Sequence, residues 1–337
     1  MKVSVCIPTY NRCQHLANCL NSIILNVNYP KDDVQICVSD NGSTDETEAI
    51  VRHAQKRIDI VYRKNIKNIG IPRNFLHVVN MADGKYVWLI GDDDLLMPDT
   101  FERLLKIINQ NNSVDFFYIN SFHLTTEYVF EQRQPFDTKN LPIKMERFSE
   151  WRSSGQMNFI ELINPKISFD FLGGMFLSVF NREKWIENTH VLNSEAIHDD
   201  KTFSHFDNTF PHVKIFANAF SNSKAYFHAE PLSVCLTGAR EWAPMYPLIR
   251  SVRLVEALDE YRKNGLPYMA YWRCKNFALR NFIPDMVYTI VHKKESGYEY
   301  LQPFRLLLNN GLYPEFYWSF FRYIIRKFNN LINSQRP

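Results

Sequence analysis

The chain has 337 residues, with 39 basic and 36 acidic side chains and a net charge of +3. Apolar residues make up 45% of it and charged residues 22%, which supports a substantial core and excludes a disordered chain. The near-neutral charge does not favour a nucleic-acid-binding protein, and no uninterrupted apolar run approaches the roughly 20 residues that cross a bilayer.

The first hundred residues predict alternating strands and helices. Residues 2–7 are a mostly apolar run that stops at Pro8, as a buried parallel strand does. Strands are further predicted over 34–38, 58–62 and 85–90, and helices over 12–25, 43–55, 72–81 and after Asp99. Ser43 with Glu46, and Asp99 with Glu102, predict the caps of the second and fourth helices. This order is typical of an α/β fold with a mainly parallel, doubly wound sheet and helices on both faces.

Polar clusters follow each of these strands. They comprise residues 9–12, 40–41, 65–74 and 92–94. Ligands of open α/β sheets bind beyond the carboxyl ends of the strands, so the four clusters are expected to meet in one crevice.

Asp92, Asp93 and Asp94 are three adjacent carboxylates after an apolar strand. They repel one another unless a cation or hydrogen-bond donors offset their charge, and Mg²⁺ and Mn²⁺ prefer such oxygen ligands. The alternative is a solvated acidic turn before the next helix. Likewise, Asp40 is either a ligand-binding residue or an ordinary turn residue, and Arg73 either binds a ligand or is a surface charge.

Four segments carry a resemblance to a known family. IPTYNR, VSDNGSTDET, NIGIPRN and WLIGDDDLLMPD occur in this order within about the first 110 residues. As a set they resemble the inverting family 2 glycosyltransferases with the GT-A fold. YRKNIKNIGIPRNF, IGDDD and TFPHVKIF are also similar to bacterial O-antigen enzymes such as abequosyltransferases.

The resemblance implies a role for each matched position. Asp40 would accept a hydrogen bond from the nucleotide base, Asp92 would hold the ribose, and Asp93 with Asp94 would bind the Mn²⁺ or Mg²⁺ that bridges the diphosphate. Many members have Asp-x-Asp-Asp, and here Gly91 replaces the first Asp. The other implied nucleotide contacts are Pro8, Thr9, Arg12, Asn68, Gly70, Arg73 and, as a phosphate clamp in a later loop, Arg240.

The general base is the least defined part of the prediction. Relatives carry an acidic residue at the head of a helix in the second half of the chain, and the best matching segment here spans residues 207–220. His212 stands at the corresponding position and its unperturbed pKa lies near working pH. Asp207 and the cluster His198-Asp199-Asp200 are the alternative candidates. The purely structural explanation for His212 is a histidine bonded to the backbone at a helix start, and the one for the cluster is a solvated loop.

The second half of the chain contains weaker signals. Residues 114–122 and 169–180 predict strands, and residues 123–168 resemble an insertion that covers an acceptor. Gly173, Gly174 and Trp185 are acceptor-side candidates by resemblance, although Trp185 fits core packing equally well. We expect a GT-A domain over residues 1–235 and a helical C-terminal extension over 236–337.

The end of the chain is basic and aromatic. Residues 301–337 hold five basic residues and one acidic residue, with nine aromatics between Phe304 and Phe328. This composition is typical of a helix lying on a membrane surface or of one packed against the catalytic domain. With six cysteines outside any C-x-x-C spacing and no apolar leader, we expect a cytoplasmic protein at the inner face of the bacterial plasma membrane.

Taken together, the sequence predicts a hexosyltransferase-type enzyme. It would move a sugar from a nucleotide-diphosphate donor to a hydroxyl of a glycan, with inversion, on a polyprenyl-linked O-antigen or other surface polysaccharide intermediate. A catalytically silent nucleotide- or carbohydrate-binding partner is the alternative. The sequence does not support a nucleotidyltransferase, because IPTYNR after the first strand is not a Gly-rich basic loop. It does not support an NAD dehydrogenase either, because no Gly-x-Gly-x-x-Gly motif follows a predicted strand.

Overall fold

A computed structural model describes residues 2–168, 173–238 and 242–334. Its described strands form one sheet in the order β3-β2-β1-β4-β9-β6-β10-β5, with β7 paired to β6 and β8 paired to β10. The strands are β1 (Val3–Thr9), β2 (Val34–Asp40), β3 (Ile60–Lys64), β4 (Tyr86–Leu89), β5 (Leu95–Leu96), β6 (Phe116–Thr125), β7 (Glu146–Arg147), β8 (Gly155–Asn158), β9 (Ser178–Asn181) and β10 (Lys224–Thr237).

The helices surround this sheet and then continue into the C-terminal region. A π-helical turn, Ile249–Arg253, joins α10 to α11. The helices are α1 (Cys13–Ile24), α2 (Thr47–Ala54), α3 (Ile71–Asn80), α4 (Thr100–Gln110), α5 (Thr126–Phe130), α6 (Arg182–Glu187), α7 (Ser194–His198), α8 (Phe206–Thr209), α9 (Pro211–Phe220), α10 (Tyr246–Leu248), α11 (Leu254–Lys263), α12 (Tyr268–Ala278), α13 (Phe282–Val291), α14 (Pro303–Asn310) and α15 (Pro314–Ser334).

The half of the sheet built from β1 to β4 confirms the predicted architecture. β1 pairs in parallel with both β2 and β4, and β2 pairs in parallel with β3. Every residue of β1, β2 and β4 is buried, because helices cover both faces of this part of the sheet. Their carboxyl ends therefore lie along one edge.

The other half is mixed. β9 lies antiparallel between β4 and β6, and β10 runs parallel to β6. The strand predicted over 169–180 is shorter, since β9 begins at Ser178 after a single 3-10 turn and residues 169–172 lie outside the described part of the chain. The predicted insertion over residues 123–168 contributes two short strands, β7 and β8, to the sheet.

Both predicted caps are wrong in detail. Ser43 does not cap α2: its hydroxyl instead accepts the Asn11 N–H at 2.8 Å, and the helix begins later, at Thr47. Asp99 does occupy the position before α4, with φ 59°, but its side chain makes no capping hydrogen bond. The predicted helix over 207–220 is also divided, into α8 and α9, at Phe210.

The C-terminal helices share one apolar core with the sheet. Tyr261 of α11 packs against Phe159, with ring centroids 6.1 Å apart, and the core continues through Phe282 to Tyr313. The predicted boundary after residue 235 falls just before the end of β10. Among the described residues, none of the helices combines the length and hydropathy needed to cross a membrane.

Candidate active site

The carboxyl ends of β1, β2 and β3 are held in register beyond the strands themselves. The Asn41 N–H donates to the Thr9 carbonyl oxygen at 2.8 Å, and the Asn65 N–H donates to the Asp40 carbonyl oxygen at the same distance. These bonds fix the loops that follow each strand. The predicted polar clusters therefore meet at one edge of the sheet.

Four side chains form a cluster there, which we call the carboxylate cluster: Thr9, Arg12, Asp92 and Asp93. The Thr9 hydroxyl donates to Asp92 Oδ2 at 2.8 Å. The Arg12 guanidinium lies 3.2 Å from Asp92 Oδ1 through Nη1 and 2.9 Å from Asp93 Oδ2 through Nη2. Both aspartates are almost fully buried, with 4% and 5% of their surfaces exposed. The chain thus holds two carboxylates side by side with one cation between them.

The charge of Arg12 is strongly favoured in this position. Burial alone would lower the pKa of its guanidinium, but the neighbouring Asp92 and Asp93 more than offset burial and raise that pKa above its usual value. Arg12 is still partly exposed, so a ligand at the edge of the sheet can reach it. The cluster therefore presents a permanent cation beside two carboxylates.

Residues 91–94 form a tight turn. Asp94 Oδ2 accepts the Gly91 N–H at 2.7 Å, so this predicted metal ligand closes the turn. A Cβ added at Gly91 would lie 2.6 Å from Asp93 Oδ1. Glycine at this position leaves room for the Asp93 carboxylate.

The carboxylate oxygens of this turn suit a hard divalent cation that takes its remaining ligands from a bound phosphate group. Across the described residues, no group of three or more His, Cys, Asp or Glu is arranged to hold a metal ion by itself. Mg²⁺ typically takes one or two protein carboxylates and completes its shell with phosphate oxygens and water, and carboxylate and phosphate oxygens also suit Mn²⁺. Asp93, next to the space left by Gly91, is the residue that fits this role best.

Asp40 is fully buried at the end of β2. Its Oδ1 accepts the Ser43 N–H at 2.7 Å and its Oδ2 accepts the Tyr62 hydroxyl at 2.7 Å. Partial burial, and next the bond to Asp40, raise the pKa of Tyr62 well above its usual value, so the phenol stays a donor. In this state Asp40 shapes the loop that follows it.

An amide network links the second and third loops. Asn68 Oδ1 accepts hydrogen bonds from Asn41 Nδ2 and from the Gly70 N–H, each at 2.8 Å. Gly42 has φ +80° and an added Cβ there would lie 2.8 Å from the Lys67 carbonyl carbon, so only glycine allows this approach. Asn68 itself is exposed on the edge of the sheet, whereas Pro8 is buried within β1.

His212 lies in an apolar environment. It is 2% exposed, and its ring packs against Phe210 and Phe216 with centroid distances of 5.8 Å to each. Burial lowers its pKa to about 3, a shift that the backbone of Gly173 only partly opposes. The imidazole is therefore neutral near pH 7 and a poor acceptor of a substrate proton.

The two acidic alternatives differ in their surroundings. Asp207 is 7% exposed, and its Oδ2 accepts the Asn193 N–H at 2.6 Å and faces Lys214 Nζ at 2.7 Å. Asp200 has a side chain that is 91% exposed and lies 3.4 Å from Arg73 Nη2 at the start of α3. Asp207 thus anchors a loop, whereas Asp200 is open and borders the edge of the sheet.

Arg253, from the π-helical turn, holds the loop that carries Asp200. It is 5% exposed, and its guanidinium donates to the Phe203 carbonyl oxygen at 3.2 and 3.1 Å and to the Ser204 carbonyl oxygen at 2.5 Å. The Ser204 hydroxyl in turn donates to Asp199 at 2.6 Å. Phe203 has φ 58°, a conformation that such a residue rarely adopts without support.

Sequence reasoning missed three of these residues. Tyr62 is predicted only as the last residue of a strand. Asn41 is predicted only as part of the polar pair 40–41, in which Asp40 alone is given a role. Nothing in the sequence around Arg253 indicates a contact with a distant loop. Arg240, the predicted phosphate clamp, lies outside the described residues. Trp185 is fully buried and stacks on Phe180 at 4.7 Å, which favours its structural explanation.

A second concave region lies elsewhere. It is a groove of about 770 Å³ between residues 151–167 and α12, lined by side chains that include Trp151, Ile163, Trp272 and Phe277. β8 borders this region and pairs with the first residues of β10, at the opposite end of the strands from the carboxylate cluster. The groove is therefore not part of the candidate active site.

The family model described as glycosyl transferase family 2 matches residues 4–171. That segment contains β1 to β4 and the whole carboxylate cluster. The chain carries a family 2 glycosyltransferase domain. All but one of the predicted nucleotide and metal positions, the exception being Arg240, lie inside this domain.

Curated relatives of this glycosyltransferase domain match the chain over part of their own length. An abequosyltransferase of Salmonella typhimurium is 28% identical over 239 residues, which are 70% of this chain and 66% of that protein. An uncharacterised glycosyltransferase of Mycoplasma pneumoniae is 30% identical over 114 residues, which are 38% of its length. The chain thus spans less than two-thirds of the length of these relatives, only slightly less in the first case.

Solved structures confirm the GT-A fold of the chain. S. aureus TarS 1-349 in complex with UDP matches with a TM-score of 0.55 and 15% identity, over 84% of this chain and 72% of that one. A mannosyltransferase of Pyrobaculum calidifontis in complex with GDP-Man and Mn²⁺ matches with a TM-score of 0.51 and 16% identity, over 94% and 83% of the two chains.

Proposed function

We propose that this protein transfers a sugar from a nucleotide-diphosphate donor to a hydroxyl group of a glycan, with inversion at the anomeric carbon. The observation that carries the proposal is the carboxylate cluster, in which Arg12 lies between Asp92 and Asp93 at the carboxyl edge of a family 2 domain. Asp92 would hold the ribose, and Arg12 with Thr9 would line the pocket.

Asp93 would hold a Mn²⁺ or Mg²⁺ ion, and Asp94 would support the turn. When bound, such an ion acts as a Lewis acid that stabilises the diphosphate as its bond to the sugar breaks. Arg12 adds a fixed positive charge on the same side. Asn68, Gly70 and Arg73 would border the base and phosphates, and the buried Asp40 would shape this wall or reach the base after its loop adjusts.

We assign the general base to Asp200 rather than to His212 or Asp207. The acceptor hydroxyl oxygen forms a bond to the anomeric carbon while the bond from that carbon to the diphosphate breaks, and the hydroxyl proton passes to the Asp200 carboxylate. Asp200 is exposed beside Arg73, whereas His212 is buried and Asp207 is bound by Lys214. Attack opposite the leaving group inverts the configuration.

The acceptor we propose is a polyprenyl-linked intermediate of O-antigen or a related surface polysaccharide. The similarity to an abequosyltransferase supports this class, and so does the basic, aromatic end of the chain. Such an acceptor places the enzyme at the inner face of the bacterial plasma membrane.

Donor turnover tests the proposal even while the exact acceptor is unidentified. The full chain is incubated with UDP-, CDP-, GDP- and dTDP-sugars and Mn²⁺, with and without a bacterial lipid-linked glycan extract, and the released nucleoside diphosphate is measured. We expect one nucleotide class to react and the extract to accelerate the reaction. NMR of the product then reports the anomeric configuration, which should be opposite to that of the donor.

Two results would contradict the proposal. Binding of a nucleotide without turnover under every condition would favour a catalytically silent partner. Retention of the anomeric configuration would exclude a single displacement assisted by Asp200. Replacement of Glu195, an exposed residue of the neighbouring α7, by Gln is the matched control for changes at Asp200.

A further inference from the structure

Helix α15 packs against the rest of the protein through one face. Ser319 is fully buried, and its hydroxyl accepts the Ile283 N–H at 3.3 Å. The Phe316 ring lies 5.3 Å from that of Phe282. Arg322 donates to the Arg280 carbonyl oxygen at 3.0 Å. Residues spaced by three therefore define the packed side of the helix.

The opposite side of α15 is apolar and faces solvent. Its large hydrophobic side chains are between 44% and 58% exposed. An amphipathic helix of a globular protein normally turns such residues towards the core. In α15 these large apolar side chains instead face the solvent. The residues are Tyr317, Trp318, Phe320, Phe321, Ile324 and Ile325.

Helix α14 extends this surface. Phe304, Leu308 and Leu312 are 86%, 80% and 86% exposed, and Leu307 is 50% exposed. The Tyr317 hydroxyl donates to the Gly311 carbonyl oxygen at 2.8 Å, which joins the end of α14 to the start of α15. We call these ten side chains of α14, α15 and the turn between them the outer apolar face. Contiguous exposed surface of this kind marks an interaction site.

The charge around the outer apolar face identifies its partner. Residues 301–337 contain five basic residues and one acidic residue, Glu315, which is paired with Arg322. Arg305 and Lys327 are exposed beside the apolar side chains. Two copies of this face would bring their positive charges together, whereas a bilayer containing anionic lipids attracts them.

We propose that the outer apolar face docks on an anionic membrane surface, with α14 and α15 lying in the plane of the bilayer interface. Helices bound in this way bury their apolar side to a depth of roughly 5–10 Å, and Trp and Tyr are preferred at that depth. The docked surface would bring the enzyme to lipid-linked substrates. The docking itself does not depend on the proposed sugar transfer.

Vesicle co-sedimentation of the full chain tests this. With vesicles of phosphatidylethanolamine and phosphatidylglycerol we expect binding at low salt, at least about tenfold weaker binding to phosphatidylcholine vesicles, and loss of binding as salt is raised. The double variant Trp318→Ser/Phe321→Ser should bind at least tenfold less. The matched control Val27→Ser/Ile143→Ser, at two exposed apolar residues of other loops, should bind as the wild type does.

Light scattering on the same proteins completes the test. Wild-type protein that does not bind anionic vesicles, or that binds neutral and anionic vesicles equally at any salt concentration, overturns the proposal. A wild-type dimer that the Trp318→Ser/Phe321→Ser variant dissociates would also overturn it, because a second copy would then cover the outer apolar face. Thermal unfolding of each protein, followed by circular dichroism, reports separately whether the variants remain folded.

Discussion

The carboxylate cluster and the outer apolar face break opposite rules of burial. At the edge of the sheet, Asp92 and Asp93 are almost fully buried although carboxylates prefer water. On α15, aromatic side chains such as Trp318 are half exposed although they favour a core. Each arrangement is unfavourable by itself, and each becomes favourable when a partner of the right chemistry is present.

The two regions also differ in how the fold supports them. Each polar group of the carboxylate cluster is fixed by a defined contact, such as the bond from Thr9 to Asp92. The outer apolar face carries few hydrogen bonds of its own and is anchored from behind, through the packed side of α15 and through Tyr313 in the turn before it. A site that binds a specific small ligand requires fixed geometry, whereas a surface that meets a bilayer requires only area and charge.

The largest expected effect concerns Asp200, the exposed carboxylate beside Arg73. Asp200→Asn should lower kcat by about 10²- to 10⁴-fold, because it removes the general base that we propose. The KM for the donor should change little. Steady-state kinetics of this variant and of Glu195→Gln measure the effect, and a kcat within threefold of wild type would refute the assignment.

Loss of the proposed metal ligand should rank next. Asp93→Asn should lower kcat by about 10²- to 10³-fold, since the diphosphate loses its stabilisation as it leaves. Added Mn²⁺ should no longer stimulate the variant. The control is Asp59→Asn, at an exposed carboxylate just before β3, which should retain normal turnover and normal Mn²⁺ dependence.

Arg253 tests whether the helical extension acts on the catalytic edge. We expect Arg253→Gln to lower kcat about tenfold with an unchanged KM for the donor, because the loop that carries Asp200 loses its anchor. Arg253→Lys should recover part of the activity through a single donated bond. If both variants lose donor affinity and kcat in proportion to their loss of stability, Arg253 is only a structural residue.

The smallest expected effect concerns His212, through the pH dependence of stability. Burial depresses its pKa from 6.5 to about 3, so the unfolded chain binds a proton that the folded chain excludes. The neutral imidazole of His212 therefore contributes fully to the free energy of unfolding above about pH 6.5. This contribution is lost as the pH falls towards 3, by up to about 1.4 kcal/mol per pH unit.

His212→Leu removes this ionisable group at similar volume. The free energy of unfolding, measured by urea denaturation between pH 7 and 4.5, should therefore fall less steeply with acid than in the wild type. Its turnover should stay within a few-fold of normal. An unchanged slope would mean that the imidazole is accessible to protons in the folded state, and the assignment of the base would then return to His212.

The nucleotide half could be predicted from sequence because its signals are local. The apolar run before Pro8 and the polar residues after it lie within ten positions, and β1 forms there. The same is true of residues 85–94, where strand and acidic turn are adjacent. Parallel strands then bring their carboxyl ends together without further information.

The rest depends on contacts between distant segments. Arg253 reaches the Phe203 carbonyl oxygen across 50 positions, and Tyr62 reaches Asp40 from the neighbouring strand. The predicted caps fail for a similar reason, since Ser43 bonds to Asn11 rather than to its own helix. Composition identifies the aromatic end, but only packing decides whether its apolar side faces the core or solvent.

We expect the carboxylate cluster to bind a nucleoside diphosphate together with a divalent ion. The most direct measurement is calorimetric titration of UDP, CDP, GDP and dTDP into wild-type protein, Asp93→Asn and Asp59→Asn, each with and without Mn²⁺. We predict that one nucleotide binds at least tenfold more tightly with Mn²⁺, and that only Asp93→Asn loses this gain. Nucleotide affinity that is equal in all three proteins and indifferent to Mn²⁺, or no binding at all, would contradict the claim.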